Sequence, residues 1–239
     1  MAAGAATNGG SIPADKETDS RSKGKEGGPS LNSLALMRNA TTPANISSVD
    51  VKDWRCVVSE GVLLKNNTQK FWVEDKLHKN CFLVLPKACD IAGDDEESCW
   101  SWITKEEKWF SFRSTVDILV PKSKKSSCLL IQGRFDTRVL SPNTTYEVAF
   151  VVQLAGTNPE WYSPAKLELD LPDGTKHTRT EDPLQMPVYE WRELRAGEFM
   201  MGPKTGGKIC FSLQGRLDPE KTGFILKGVL IHPKDSAKQ

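Results

Sequence analysis

The sequence predicts an all-β protein: an antiparallel β-sandwich of jelly-roll type, interrupted by a short helix or loop insertion and preceded by a disordered N-terminal tail. Three observations predict it. In "YEVAFVVQL", residues 146–154, Tyr146, Val148, Phe150, Val152 and Leu154 share one face, and a period of two marks a strand. Similar short runs recur along the chain with Asn-Asn, Asp-Gly and Ser-Pro turns and no long helical pattern between them. That spacing suits a sandwich and not an α/β fold. Residues 1 to about 30 are rich in Gly, Ala and Ser and hold no aromatic residue, so they cannot bury enough apolar surface to offset their ordering entropy.

Taken in order, "LNSLALMRNA" spaces Leu31, Leu34 and Met37 by three, which fits a short helix or a weakly structured linker. The tail and linker take residues 1–50 and the sandwich domain residues 51–239. "GVLLKNNTQKFWVED" reads as a hairpin turning at Asn66-Asn67, because Asn tolerates positive φ. "CFLVL" is a short apolar strand. "SCWSWITKEEKWFSFRSTVDILV" is too long and irregular for one strand, and is expected to hold a short helix or a wrapped loop. "AKLELDLPDGTKHTRTE" is a second hairpin, with Leu167, Leu169 and Leu171 inward and Asp173-Gly174 at the turn. "YEWREL", "KICFSLQ" and "GFILKGVLIHP" complete the strands.

Charge and composition exclude several functions. The net charge of +1 over 239 residues gives no bulk electrostatic case for nucleic acid or for anionic membranes. No apolar run approaches the roughly 18 residues of a membrane-spanning helix. The first twenty residues lack the pattern of a secretory signal, so the four Asn-x-Ser/Thr triplets at Asn39, Asn45, Asn66 and Asn143 read as accidents of composition. Six scattered cysteines without Cys-x-x-Cys spacing read as free thiols in a cytosolic or nuclear protein, with no metal cage. The three histidines, His78, His177 and His232, come with no nucleophile elbow and no phosphate-binding Gly loop. The expectation is a non-enzyme without cofactor. The acidic run Asp94-Asp95-Glu96-Glu97 and the basic "PKSKKSS" at 121–127 read as solvated loops.

Aromatic usage is more informative. Trp100, Trp102 and Trp109 cluster close to the acidic run. A rigid ring beside carboxylates suits a sugar, whose apolar C–H face stacks while polar neighbours fix its hydroxyls. The same tryptophans would equally fill a sandwich core, and the sequence leaves both readings open.

"GRFDTRVLSPNTTYEVAF", Gly133 through Phe150, resembles the central signature of the phloem protein 2 family, which includes the Nictaba-type plant lectins. The resemblance continues through "LDLPDGTKHTR", "YEWRELRAGEF" and "GFILKGVLIHPK". Upstream, "GVLLKNNTQKFWVEDKLHKNCFLVLPKACDI" is similar to the opening of the F-box-linked branch, though the first 50 residues are too polar and Gly-rich for an F-box. Ser141-Pro142-Asn143 reads as a chain reversal, with Asp136 and Arg138 placed to pair or to cap it. The motif is therefore read as structural.

The resemblance implies a nucleocytoplasmic β-sandwich lectin for N-acetylglucosamine oligomers, N-glycan cores or glycoproteins, with a homodimer left open. It implies Trp100 as the principal sugar platform, flanked by Asp94, Asp95 and Trp102, with Glu198 on the rim. The sequence departs from the lectin pattern at Gly93, where a first Trp would stand, and at Gln214, Gly215 and Glu220. If each stacked ring contributes about 0.5–1.5 kcal/mol, two lost platforms weaken binding about tenfold to a hundredfold. A protein-interaction module of the same fold is the alternative reading.

Overall fold

The computed structural model describes residue 1 and residues 31–40, 59, 61–93, 98–108, 115–124, 128–155, 163–182, 186–202, 204–217 and 223–234. Within them the chain forms α1 (Leu31–Arg38), β1 (Val62–Leu64), β2 (Gln69–Val73), β3 (Asn80–Val84), β4 (Asp90–Ile91), β5 (Trp100–Lys108) and β6 (Thr115–Ser123). Then follow β7 (Cys128–Asp136), β8 (Thr145–Leu154), β9 (Ala165–Asp170), β10 (Lys176–Glu181), β11 (Trp191–Met200), β12 (Lys208–Arg216) and β13 (Phe224–Pro233). The strands make an eight-stranded and a five-stranded sheet, and every pairing between them is antiparallel. The five-stranded sheet runs β10-β9-β12-β7-β4.

β13 is the pivot of the larger sheet. β8 pairs along its whole length, from Phe224↔Leu154 to Pro233↔Tyr146, and β11 pairs with β8. The other edge of β13 is shared: Ile225 meets β6, and Val229 to Ile231 meet β3. The register shifts between Leu226 and Gly228. This bulge puts Gly228 at a φ of 152°, with its Cα so near Val84 that a Cβ would stand 2.4 Å from that carbonyl oxygen. Only Gly fits there.

The alternation seen in the sequence fills the space between the sheets. Phe71, Phe82, Tyr146, Phe150 and Phe224 from one sheet meet Leu129, Ile131, Leu167, Leu169, Ile209 and Leu213 from the other, all fully buried. Burying each such side chain contributes about 1.5–3 kcal/mol. Aromatic contacts lock the layers, with Phe150 edge-on to Phe211 at 5.9 Å between centroids and Phe82 tilted on Phe135 at 4.9 Å. The turns stand where the sequence places them: Asn66 and Asn67 have φ of 55° and 62°, and Gly174 has φ of 88°.

Two expectations take a more definite form. The described residues of this segment are strands, Trp100–Lys108 and Thr115–Ser123, paired from Trp100↔Ser123 to Lys108↔Thr115, and residues 109–114, where the expected helix or loop insertion would fall, lie outside the described residues. Lys105, Glu106, Glu107 and Lys108 favour helix individually. However, β5 pairs with β6 alone, and an edge strand tolerates charge. Within the 1–50 tail and linker, "LNSLALMRNA" takes the helical of its two expected forms. α1 docks on the sandwich, with Met37 only 2% exposed in the main core cluster. Ser33 Oγ donates to Asn80 Oδ1 at 2.9 Å, and Ala40 bridges to Leu64.

The Gly133–Phe150 motif is a corner that joins the layers. A Cβ on Gly133 would lie 2.4 Å from the Phe211 ring, so the glycine admits that ring against β7. Asp136 accepts hydrogen bonds from the Arg138 amide at 3.1 Å and from its Nε at 2.9 Å, and caps a 3-10 turn at Thr137–Val139. This pairing holds the Asp136 carboxyl below its ordinary pKa. Thr137, fully buried, accepts from the Gly207 amide at 3.0 Å and so ties the corner to the loop before β12. Asn143 takes a φ of 50° in the reversal. Tyr146 closes the corner: its hydroxyl donates to Asn80 O and accepts from the Ser141 amide, both at 3.0 Å. Burial pushes its pKa up to about 12, so the hydroxyl keeps its proton.

Two substitutions test this arrangement. Tyr146→Phe strips a partner from a buried carbonyl and an amide, and is expected to cost about 1–3 kcal/mol in urea denaturation. Trp100→Ala is expected to cost about 3–5 kcal/mol, the range of a core tryptophan, because Trp100 is 2% exposed. A loss under about 1 kcal/mol would mean that Trp100 is not part of the core.

Candidate functional site

The residues singled out from the sequence do not form one site. Trp100 is buried, edge-on to Phe224 at 6.4 Å, and its Nε1 donates to Ala92 O at 3.0 Å. A ring in that position offers no face to a sugar, so the platform expectation is corrected: Trp100 is a core residue. Trp102 is partly buried and also packs on the core. Asp94, Asp95 and Trp109 lie outside the described residues. Glu198 is paired with Lys234 at 2.6 Å, and the ammonium holds its carboxyl below the usual range.

Glu198 is also far from Trp100. It lies level with Glu147, and so with His232 near the end of β13. Trp100 pairs with Ser123, whose hydroxyl accepts from the Phe224 amide at the start of β13. Eight residues of strand separate those levels, roughly 26 Å. The Gly93 departure has a backbone reason, since Gly93 sits at a φ of 74° in the turn before β5, a conformation costly to a Trp. Gln214 and Gly215 belong to β12, and Glu220 lies outside the described residues.

A different site lies on the outer face of the eight-stranded sheet. It is a groove of about 370 Å³ floored by Leu83, Leu85, Ile118, Val151 and Leu230, and walled by Trp72 and Trp191. Lys70, Glu107, Glu193 and Lys227 add the polar groups. The pleat explains each placement. Phe71 is fully buried on the inner face of β2, so Lys70 and Trp72, its neighbours on either side, point outward. Trp191 opens β11 opposite Gln153, which is an outer-face residue of β8. Phe224 and Leu226 face inward, so Lys227 points outward by alternation, and the bulge that follows lets Val229 resume the inward phase.

Charge is organised around the two rings. Lys70 Nζ lies 5.4 Å from the Trp72 ring centre, and Lys227 Nζ lies 5.3 Å from that of Trp191, both in cation–π range. Glu107 reaches in from β5 and accepts from Lys227 Nζ at 2.6 Å. Burial lowers the Lys70 pKa to about 8, the nearby Lys227 charge adds to that, and Glu107 opposes it. From β2 to β11 the path crosses β3, β13 and β8, four spacings or about 19 Å across the strands, and Trp72 and Trp191 are further offset along them, level with Glu147 and with Gln153 of β8. That exceeds a single sugar ring. The outer face of the five-stranded sheet carries two further depressions, of about 180 and 440 Å³. Neither has a Trp or Tyr among its described lining residues.

Sequence reasoning missed Trp72 and Trp191. The signal was present in "KFWV": two adjacent aromatics on a strand cannot both face the core.

The family model described as Phloem protein 2 matches residues 79–233. The chain is 35% identical over 208 residues to Protein PHLOEM PROTEIN 2-LIKE A1 of Arabidopsis thaliana, covering 85% of this chain and 80% of that protein. A Luffa acutangula protein named Lectin is 28% identical over 179 residues, covering 74% of this chain and 82% of that one. Among solved structures, the CBM22-1 xylan-binding domain from Paenibacillus barcinonensis Xyn10C covers 64% of this chain and 90% of its own at 15% identity and a TM-score of 0.35, a likeness too slight to argue from. The family match takes in β3, the Gly133–Phe150 corner and the full β8–β11–β13 ribbon, and with it the chain belongs to the phloem protein 2 family.

Proposed function

We propose that this chain is a non-catalytic, lectin-like carbohydrate-binding protein whose sugar lies in the groove between Trp72 and Trp191. One observation carries the reading: two outward tryptophans flank an apolar floor, with a buried lysine and a lysine–carboxylate pair between them. Rings of this kind stack on the C–H faces of sugars, while convergent polar groups select hydroxyl positions. A relative of this chain named Lectin supports the class. Within it we favour N-acetylglucosamine oligomers or N-glycan cores, because an N-acetyl methyl suits the Leu83–Val151–Leu230 floor. Glycoproteins of the cytoplasm or nucleus are then the natural partners.

A glycan array with the purified chain tests the class. Binding to chitin oligomers or N-glycans is expected, and an inert array would turn the reading to a protein-interaction module of the same fold. Titration of the variants tests the place. Trp72→Ala and Trp191→Ala are each expected to weaken binding about two- to twelvefold, the loss of one stacked ring. Stability should fall by only about 1 kcal/mol, since both rings are half-buried. Unchanged affinity in both variants would remove the sugar from the groove.

The charge on Lys70 gives a test independent of ligand. Its pKa is about 8 in the folded chain against 10.5 for an unburied lysine. Between those values the unfolded chain holds the extra proton, so stability rises with pH across that window. In Lys70→Met this part of the rise is expected to vanish. Equal slopes for both proteins between about pH 8 and 10 would show that Lys70 is not buried as described.

A further inference from the structure

We propose that Glu147, Glu193 and His232 form a binding site for a divalent transition-metal ion of the zinc class, on the outer sheet face at the end of the sugar groove. One ligand atom from each of the three residues lies within 4.8 Å of the others. His232 Nε2 is 3.5 Å from Glu147 Oε1 and 3.9 Å from Glu193 Oε2. These spacings exceed a hydrogen bond, for which about 2.7–3.2 Å is normal. Nε2 is moreover a buried atom with no hydrogen-bond partner, a state that ordinarily costs free energy. Zinc bonds of about 2.0–2.2 Å to nitrogen and oxygen set the ligands of a tetrahedral ion roughly 3.4 Å apart. The separations found here are close to those of ligands around an ion and unlike those of groups bonded to each other.

The backbone presets two of the three ligands. Glu147 and His232 are direct partners in the β8–β13 register, and Glu193 stands on β11, the other neighbour of β8. The Glu147 side chain is 6% exposed, so the pleat and its packing hold it in place. Arg195 Nε donates to Glu147 Oε1 at 3.0 Å. The Arg195 side chain is 55% exposed, so it can keep one carboxylate oxygen or withdraw into solvent. The two carboxylates outnumber the one guanidinium, and a divalent cation offsets that excess of negative charge. An imidazole with two carboxylates selects zinc or its transition-metal neighbours over calcium and magnesium, which take all-oxygen shells. Three protein ligands leave a fourth position open. Glu193 also lines the groove, so that open position adjoins the sugar site. The proposal nonetheless stands without any assumption about sugar.

Isothermal titration of zinc chloride into the chelator-stripped full chain tests it. One equivalent is expected to bind. His232→Gln and Glu193→Gln should each weaken binding at least tenfold, while melting as the metal-free parent does; Glu193 is 44% exposed, so that variant is not expected to disturb the fold. A variant with Cys56, Cys99, Cys128 and Cys210 changed to Ser is expected to bind zinc as the parent does. Absence of heat would overturn the proposal. Binding that survives His232→Gln, or that disappears with the thiols, would place the metal elsewhere and equally overturn it.

Discussion

Asn80 is 2% exposed and uses four polar groups to join parts of the chain that are remote in sequence. Its amide donates to Ser141 Oγ and its carbonyl accepts from the Tyr146 hydroxyl, each at 3.0 Å. Its side chain donates to Val139 O and accepts from Ser33 Oγ, each at 2.9 Å. One residue at the start of β3 therefore fixes α1, the corner before β8 and the first residues of β8 itself. Buried polar groups that are all satisfied specify geometry as well as adding stability, since a misplaced partner leaves a costly orphan. The long family motif is intelligible in these terms. Its Ser141 and its tyrosine meet Asn80 directly, its Asp-Thr-Arg turn ties the same corner to the loop before β12, its glycine admits the Phe211 ring, and none of them lines the groove.

The groove depends on the same framework at one remove. The corner sets where β8 begins, β8 aligns β13 along its full length, and alternation along β13 then presents Lys227 to Trp191 and Glu107. The groove walls come from β2 and β11, more than a hundred positions apart in sequence.

That separation explains what could and could not be read in advance. The core was legible because inner-face alternation is local: Leu167, Leu169 and the odd-even pattern of β8 depend only on neighbours in the chain. Turns were legible because Asn66-Asn67 and Asp173-Gly174 carry their own conformational preference. The β5–β6 hairpin was not, since the Lys and Glu residues of "TKEEK" favour helix and only pairing with β6 overrides that preference. Trp100 was ambiguous for a similar reason, its burial being decided by Ala92 and Phe224 rather than by its own segment. A slip of phase in "FILKGVLIHP", from Phe224 and Leu226 to Val229 and Ile231, did mark the bulge. What Lys227 would meet lay elsewhere in the chain.

β8 is buried on both faces: Tyr146, Val148, Phe150, Val152 and Leu154 line the interior, while Ala149 and Val151 lie beneath the outer surface. The strand is at once the spine of the interior and the bed of the groove, so a change of side-chain volume there is felt in both. Ala149 is fully buried on that strand. Side chains along β8 therefore have little latitude to change. The rims, on β2, β5 and the start of β11, are where a side chain can be exchanged without disturbing the interior.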